Sequence, residues 1–256
     1  MKKSVVWLFL LSLVLGLNFT ACGNDDDSAA DGDADSDTDG DTDTDTDGDT
    51  DSDGDTDDIT YIINENFDSL NAGDYVIATL GDPWVAWSDP ALPEEDAMIS
   101  DTQSYSKPNS LYLVDNNDVV TLFNFVDGAY QIEFMAFVED GKLGYYNYQQ
   151  VFTGDSAGVW GCELYFYAGG VGNFVIAGKQ YPFKFKADAW FHNKTVIDID
   201  NDVATVWVDD VEVYSWQWSL AQGGTPPGNF DAIDFWGNPD PPGSGWYLDD
   251  VKVWAI

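Results

Sequence analysis

Several residue types in this chain have the functional groups for chemistry, and their spacing limits what each can do. Asp198-x-Asp200-x-Asp202 has the two-residue period that sets carboxylates on one face of a strand. The same run is rich in turn formers, so Asp200-Asn201-Asp202 reads as a hairpin turn rather than as a catalytic group. His192 is the one histidine. It has no Ser or Cys partner in a nucleophile motif and cannot hold zinc without carboxylates, so it reads as a strand residue. Cys162 lies in an apolar strand and is expected to be a buried, inert thiol. The remaining resource is aromatic. Indole and phenol rings stack on the faces of sugars, and the candidates are Tyr145, Tyr146, Tyr148, Trp160, Tyr165, Tyr167 and Trp236, with Glu163, Asn147 and Gln149 as orienting polar groups. Rings of this kind also build cores. Within the set, Tyr165 and Tyr167 share a strand face with Glu163, opposite Leu164 and Phe166, which makes that trio the best supported part of a ligand site.

Charge narrows the ligand. The 256 residues contain 47 Asp and Glu against 9 basic residues, all of them Lys, for a formal net charge of −38. Clustered cations for phosphates are absent, so nucleic acid is excluded as a partner and Arg-based phosphate clamps are excluded with it. Aromatic residues make up 15% of the chain, too many for a wholly disordered polymer. The acid must therefore be concentrated in one region while another folds.

That division is visible along the chain. Residues 1–22 begin Met1-Lys2-Lys3, continue through an apolar run from Val5 to Leu17 and end at Thr20-Ala21-Cys22. The run fits a signal peptide and is short for a membrane span. Its end resembles the lipobox of bacterial lipoproteins, which implies that Cys22 is lipidated and becomes the mature N-terminus. Residues 23–58 hold 18 Asp and no Lys. With nothing apolar to bury and strong self-repulsion, they are expected to form a disordered, extended stalk. Asp35-x-Asp37-x-Asp39-Gly40 and Asp49-x-Asp51-x-Asp53-Gly54 look like the first halves of calcium loops but have Thr46 and Thr60 at the twelfth position, so the stalk is read as collecting cations diffusely. Asp25, Asp26 and Asp27, close to Cys22, resemble the surface-export signals of some Gram-negative lipoproteins. That implies an outer-membrane lipoprotein exposed at the cell surface.

Residues 59–256 contain ten of the 11 Trp and are long enough to bury a full core without a disulfide. Tyr130, Ile132, Phe134, Ala136 and Val138 alternate with Gln131, Glu133, Met135, Phe137 and Glu139. Similar alternation recurs at Val203 to Trp207, Val211 to Trp218 and Trp246 to Trp254, and the runs are separated by Gly, Pro, Asn and Asp clusters. No stretch of helical length shows a 3.6 period, although Pro93 to Met98 could make one turn. The reading is all-β: a two-sheet antiparallel β-sandwich of about a dozen strands.

Several motifs in order carry a family resemblance. Trp190 to Asp200, followed by Val206-Trp207-Val208-Asp209-Asp210-Val211, resembles the hairpin of laminin G-like and concanavalin A-like domains. Asp210 stands where those domains usually have Gly, which leaves the type of the second turn open. Gly245 to Trp254 resembles their last strand, which pairs near the first, here Tyr61 to Phe67. With Asn64-x-Asn66-Phe67 and Trp84 to Trp87, the likeness spans nearly all of 60–256. It implies a concanavalin A-like jelly roll with a ligand site on a concave sheet, at Tyr145, Tyr148, Trp160, Glu163, Tyr165, Tyr167 and Trp236. It also implies a possible structural calcium on Asp250 with Glu65 and Asn66 nearby. Glucanases of the superfamily carry a Glu-x-Asp-x-Glu strand, and none of the seven Glu here begins one. The expected function is therefore non-catalytic recognition of a neutral glycan. A glycoside hydrolase or polysaccharide lyase with a degenerate motif, and an adhesive envelope domain with a protein partner, are the alternatives.

Overall fold

Alternation of apolar and polar residues becomes sheet wherever the apolar set has something to cover, and the strand Ala129–Val138 shows how. Ile132, Phe134, Ala136 and Val138 are buried in the core, while Gln131, Glu133 and Met135 point the other way. This computed structural model describes residues 59–88, 91–155, 157–220, 228–240 and 244–256. The signal peptide, Cys22 and the acidic segment lie outside the described residues.

The described strands are β1 (Tyr61–Glu65), β2 (Trp84–Ala86), β3 (Met98–Ser100), β4 (Ser110–Val114), β5 (Asp118–Phe125), β6 (Ala129–Val138), β7 (Gly144–Val151) and β8 (Val159–Tyr167). They continue as β9 (Val171–Ile176), β10 (Lys179–Lys184), β11 (Trp190–Asp198), β12 (Val203–Val208), β13 (Val211–Trp216), β14 (Phe230–Trp236) and β15 (Gly245–Ala255). One sheet runs β13-β12-β11-β6-β15-β4-β3, with β1 also pairing β15, and the other runs β10-β9-β8-β7-β14-β5-β2. All the strand pairings are antiparallel, and the two sheets form a sandwich. The expected pairing of first and last strands is present, with Glu65 opposite Val251. The strands beyond the expected dozen include β2 and β3, each three residues long and too short to show a period. Pro93 to Met98 splits into a 3₁₀ turn (Pro93–Glu95) and the start of β3, and a short helix α1 (Val76–Leu80) was not signalled by any helical period. Among the described residues no helix is long and apolar enough to cross a membrane.

The hairpin between β11 and β12 places Asp198, Asp200 and Asp202 in and beside its turn. Asp198 accepts the Asn201 backbone N–H at 2.9 Å, and Asp202 accepts from Ser219 and Gln217. Both acids are held below the usual carboxylate range by these bonds, the opposite of what a general acid needs. Between β12 and β13, Asp209 and Asp210 both have positive φ, 48° and 61°. That is the backbone of a type I′ hairpin turn, so Asp210 takes the left-handed conformation in place of Gly.

The core lies between the sheets and is dense in rings. Phe134 meets Tyr146 edge-on at 5.0 Å and Phe235 at 5.5 Å. Cys162 is fully buried there, its thiol pushed far up by desolvation, as expected of an inert cysteine.

Candidate functional site

The outward face of the seven-stranded sheet is assembled by register. Side chains directly opposite one another on neighbouring strands lie side by side on one face. One such row runs Asp118 (β5), Trp236 (β14), Tyr145 (β7), Tyr165 (β8), Asn173 (β9). The next runs Val120, Asp234, Asn147, Glu163, Val175. A register shift in β8 then sets Trp160 opposite Gln149 and turns Gly161 inward, where an added Cβ would come within 2.6 Å of the buried Trp218 ring. The bulge thus places Trp160 on the outward face. Trp87, just past β2, joins it there, its ring 5.9 Å from that of Trp160 at an interplanar angle of 29° and edge-on to Phe152 at 5.6 Å.

Six of the seven residues expected at the site therefore share this face: Tyr145, Trp160, Glu163, Tyr165, Tyr167 and Trp236. Tyr148 does not. Its odd-numbered neighbours Asn147 and Gln149 point outward, so Tyr148 points into the core with Tyr146. There its hydroxyl donates to Thr195 at 2.8 Å, tying the two sheets together. Any ring at an even position of β7 has this fate, because the strand's inward phase is set by Tyr146, packed on Phe134.

The outward residues form one hydrogen-bonded line. Tyr165 and Tyr145 both donate to Glu163 Oε1, at 2.8 and 3.0 Å. Asn147 Nδ2 donates to the Tyr145 oxygen at 3.2 Å and to Asp234 Oδ2 at 2.5 Å. Asp234 in turn lies in hydrogen-bonding contact with Asp118. Burial pushes both carboxyls upward, Asp118 the further because the Asp234 charge adds to it, so the pair retains one proton at neutral pH. Burial, together with the Glu163 charge, raises Tyr145 and Tyr165 well above the ordinary phenol value, so both remain donors.

Trp87, Trp160 and Trp236 wall a pocket of about 150 Å³, with Tyr145 beside them and Asp118, Asn147 and Asp234 at its base. Trp87 also borders a larger depression of about 520 Å³ lined by Trp84, Leu122 and Phe152 among others. Tyr165 and Tyr167 extend the face in the other direction, with rings parallel to within 4° and 5.7 Å apart. Tyr167 is 38% exposed. Asp118, Asp234 and Trp87 were not among the sequence candidates. Asp234 was within reach: it lies two residues before Trp236 in an alternating strand and so shares its face. Asp118 begins the run Asp-Val-Val-Thr-Leu-Phe, which has no alternation to orient it.

The residues expected around calcium lie where the pairing of β1 with β15 ends. Glu65 accepts the Phe67 backbone N–H at 2.6 Å, and Asn66 and Asp68 bond each other. Glu65 is opposite Val251, which faces the core. Asp250, at a bulge with φ +49°, lines an outer depression of the other sheet with Glu133, His192 and Lys252. Among the described residues no three His, Cys, Asp or Glu are grouped closely enough to hold a metal.

Against known proteins, no family model and no curated sequence matches this chain. Solved structures do. A sialidase matches at a TM-score of 0.52 with 12% identity over 77% of this chain. The domain is a two-sheet antiparallel β-sandwich. The matched region is only 19% of that sialidase, so the likeness is to one part of a larger protein. An endo-β-1,4-glucuronan lyase of the fungus Trichoderma reesei (TM-score 0.48, 8% identity, 77% of this chain and 96% of that one) and the carbohydrate-binding module CBM66 of Bacillus subtilis (0.42, 12%, 68% and 96%) are similar as well. At 12% identity the likeness to the sialidase region is one of fold alone.

Proposed function

We propose that the chain is a lipid-anchored surface module whose lectin-like sandwich binds, without catalysis, a glycan that carries no acidic groups. The observation that carries this reading is the outward face itself: half-buried indoles around buried hydrogen-bonding groups, a combination that fits the apolar faces and hydroxyl edges of sugars. The carboxyl pair and Glu163 disfavour an anionic ligand, and the neutral glycan expected from the sequence is the simplest ligand that fits. The hydrolase reading is weaker. Glycosidases hold two carboxyls far enough apart to flank the bond they cleave, whereas Asp118 and Asp234 interact directly and share a proton.

Anchoring through Cys22 would place the domain at the outer membrane, facing outward, at the end of an acidic stalk. Glycan-array binding by the purified chain tests the reading. Signal on polysaccharides without acidic groups, lost when Trp160 and Trp236 are both replaced by Ala, supports it. Silence across all glycans favours the adhesive domain with a protein partner.

A further inference from the structure

The base of the indole-walled pocket is unbalanced in a way that specifies its ligand. Asp118 Oδ1, Asn147 Oδ1 and Asp234 Oδ1 are buried and have no hydrogen-bond partner. Asn147 is 1% and Asp234 4% exposed, and all three residues line the same pocket. The orientation of the Asn147 amide is fixed by its own bonds, since Nδ2 is committed to Asp234 and Tyr145. What faces the pocket is therefore the unpaired Asn147 Oδ1 and a carboxyl pair that carries one proton and one negative charge, with three indole rings around them.

A hydroxyl brings a single donor and no charge. An ammonium brings three donors, no acceptor and a full positive charge, and it is attracted to the faces of indole rings as well as to the carboxylates. An unpaired charge is costly to bury, and an opposite charge in contact is what offsets that cost. We infer that this pocket receives the ammonium of an amino sugar, so that the glycan bound along this face is one with free amino groups. The inference rests on the glycan reading above. The polar network through Glu163, the neighbouring Gln149 amide with both its polar atoms unpaired, and the parallel Tyr165 and Tyr167 rings supply contacts for adjoining sugars rather than for an isolated amine.

Binding must then depend on pH at both ends. It weakens in acid as Asp118 and Asp234 both become protonated, and in base as the ligand amine loses its proton. The other titratable groups facing or linked to the pocket are Glu163, Tyr145, Tyr165 and, beside the pair, Glu95, whose carboxylate is held by Ser88 at 2.6 and 3.0 Å.

The test is calorimetric titration of the purified chain with three hexasaccharides: glucosamine with free amines, its N-acetylated form, and the glucose counterpart. The free-amine hexasaccharide is expected to bind at least tenfold tighter than the other two. Asp234→Asn is expected to abolish that preference with an unchanged circular dichroism spectrum and a melting temperature no lower than that of the parent chain, and Asp118→Asn serves if Asp234→Asn does not fold. Equal affinity for all three, or a preference for either uncharged sugar, overturns the amine inference and leaves the glycan reading standing. Oligolysine binding as tightly as the amino sugar overturns the inference too, because charge alone would then suffice. Failure of every glycan to bind overturns both.

Discussion

At the scale of residues, the account assigns opposite consequences to the rings and to the acids of the outward face. Trp160 and Trp236 are half-buried and pack on other rings of the face, Trp160 on Trp87 and Trp236 on Tyr145. Trp236→Ala should weaken glycan binding roughly tenfold, about 1.4 kcal/mol, as read by titration. Asp118 is a different case. Its folded pKa is raised, so the protonated form is favoured in the native state, and the stability it lends is complete below its unfolded value and lost as pH rises through the folded one. At neutral pH the pair is thus a stability cost retained at the candidate site. Asp118→Asn should raise the melting temperature at pH 7 by a few degrees, at about 2–4 °C per kcal/mol for a domain of this size, while impairing binding. The gain should shrink toward pH 4, and a melting temperature that falls equally at both pH values would contradict this assignment.

At the scale of elements, the end of β14 is where fold and site meet. Gly237 donates its backbone N–H to Asn117 at 2.7 Å, and a Cβ there would lie 2.6–2.8 Å from the Val114 backbone. A backbone neighbour cannot swing aside, so Gly237→Ala should destabilise by about 1–3 kcal/mol in chemical denaturation and disturb Trp236 and Asp118, which flank the contact. On the other sheet, β6 and β11 pair Glu133 with His192 at 3.4 Å, and the Glu133 hydrogen bond raises the His192 pKa. This contact stabilises below about pH 6.5 and is lost as pH rises through the folded His value. His192→Gln should therefore cost a few tenths of a kcal/mol at pH 5.5 and almost nothing at pH 8.5, since the pair is partly solvated.

Strand phase explains what was legible beforehand. In β6 and β8 strict alternation declares a face, and Glu163, Tyr165 and Tyr167 were found on it. In β7, Gly-Tyr-Tyr-Asn-Tyr-Gln-Gln has rings on both faces, so nothing local separates Tyr145 from Tyr148. The bulge that turns Trp160 outward and the register that sets Asp118 beside Trp236 are long-range facts. They depend on which strands pair, and no local spacing reports that.

At the scale of the molecule, the acidity is divided along the sequence, with 18 Asp and no Lys in residues 23–58 and a second large share in residues 59–256. The seven Lys and 29 Asp and Glu of residues 59–256 leave the domain strongly acidic by itself. Its outward face adds Asp118, Asp234 and Glu163 to that field, which favours uncharged or basic ligands and weakens any attraction to anionic polymers. Added chelator tests the calcium proposed on Asp250 with Glu65 and Asn66 nearby: a melting temperature lowered by several degrees supports an ion that holds the native state, and an unchanged one counts against a tight site. The most direct measurement of the central claim is the glycan-array profile of the chain beside that of its Trp160→Ala, Trp236→Ala variant. The account predicts binding to polysaccharides without acidic groups that disappears in the variant at unchanged fold; binding that survives in the variant, or that is confined to acidic polysaccharides, would contradict it.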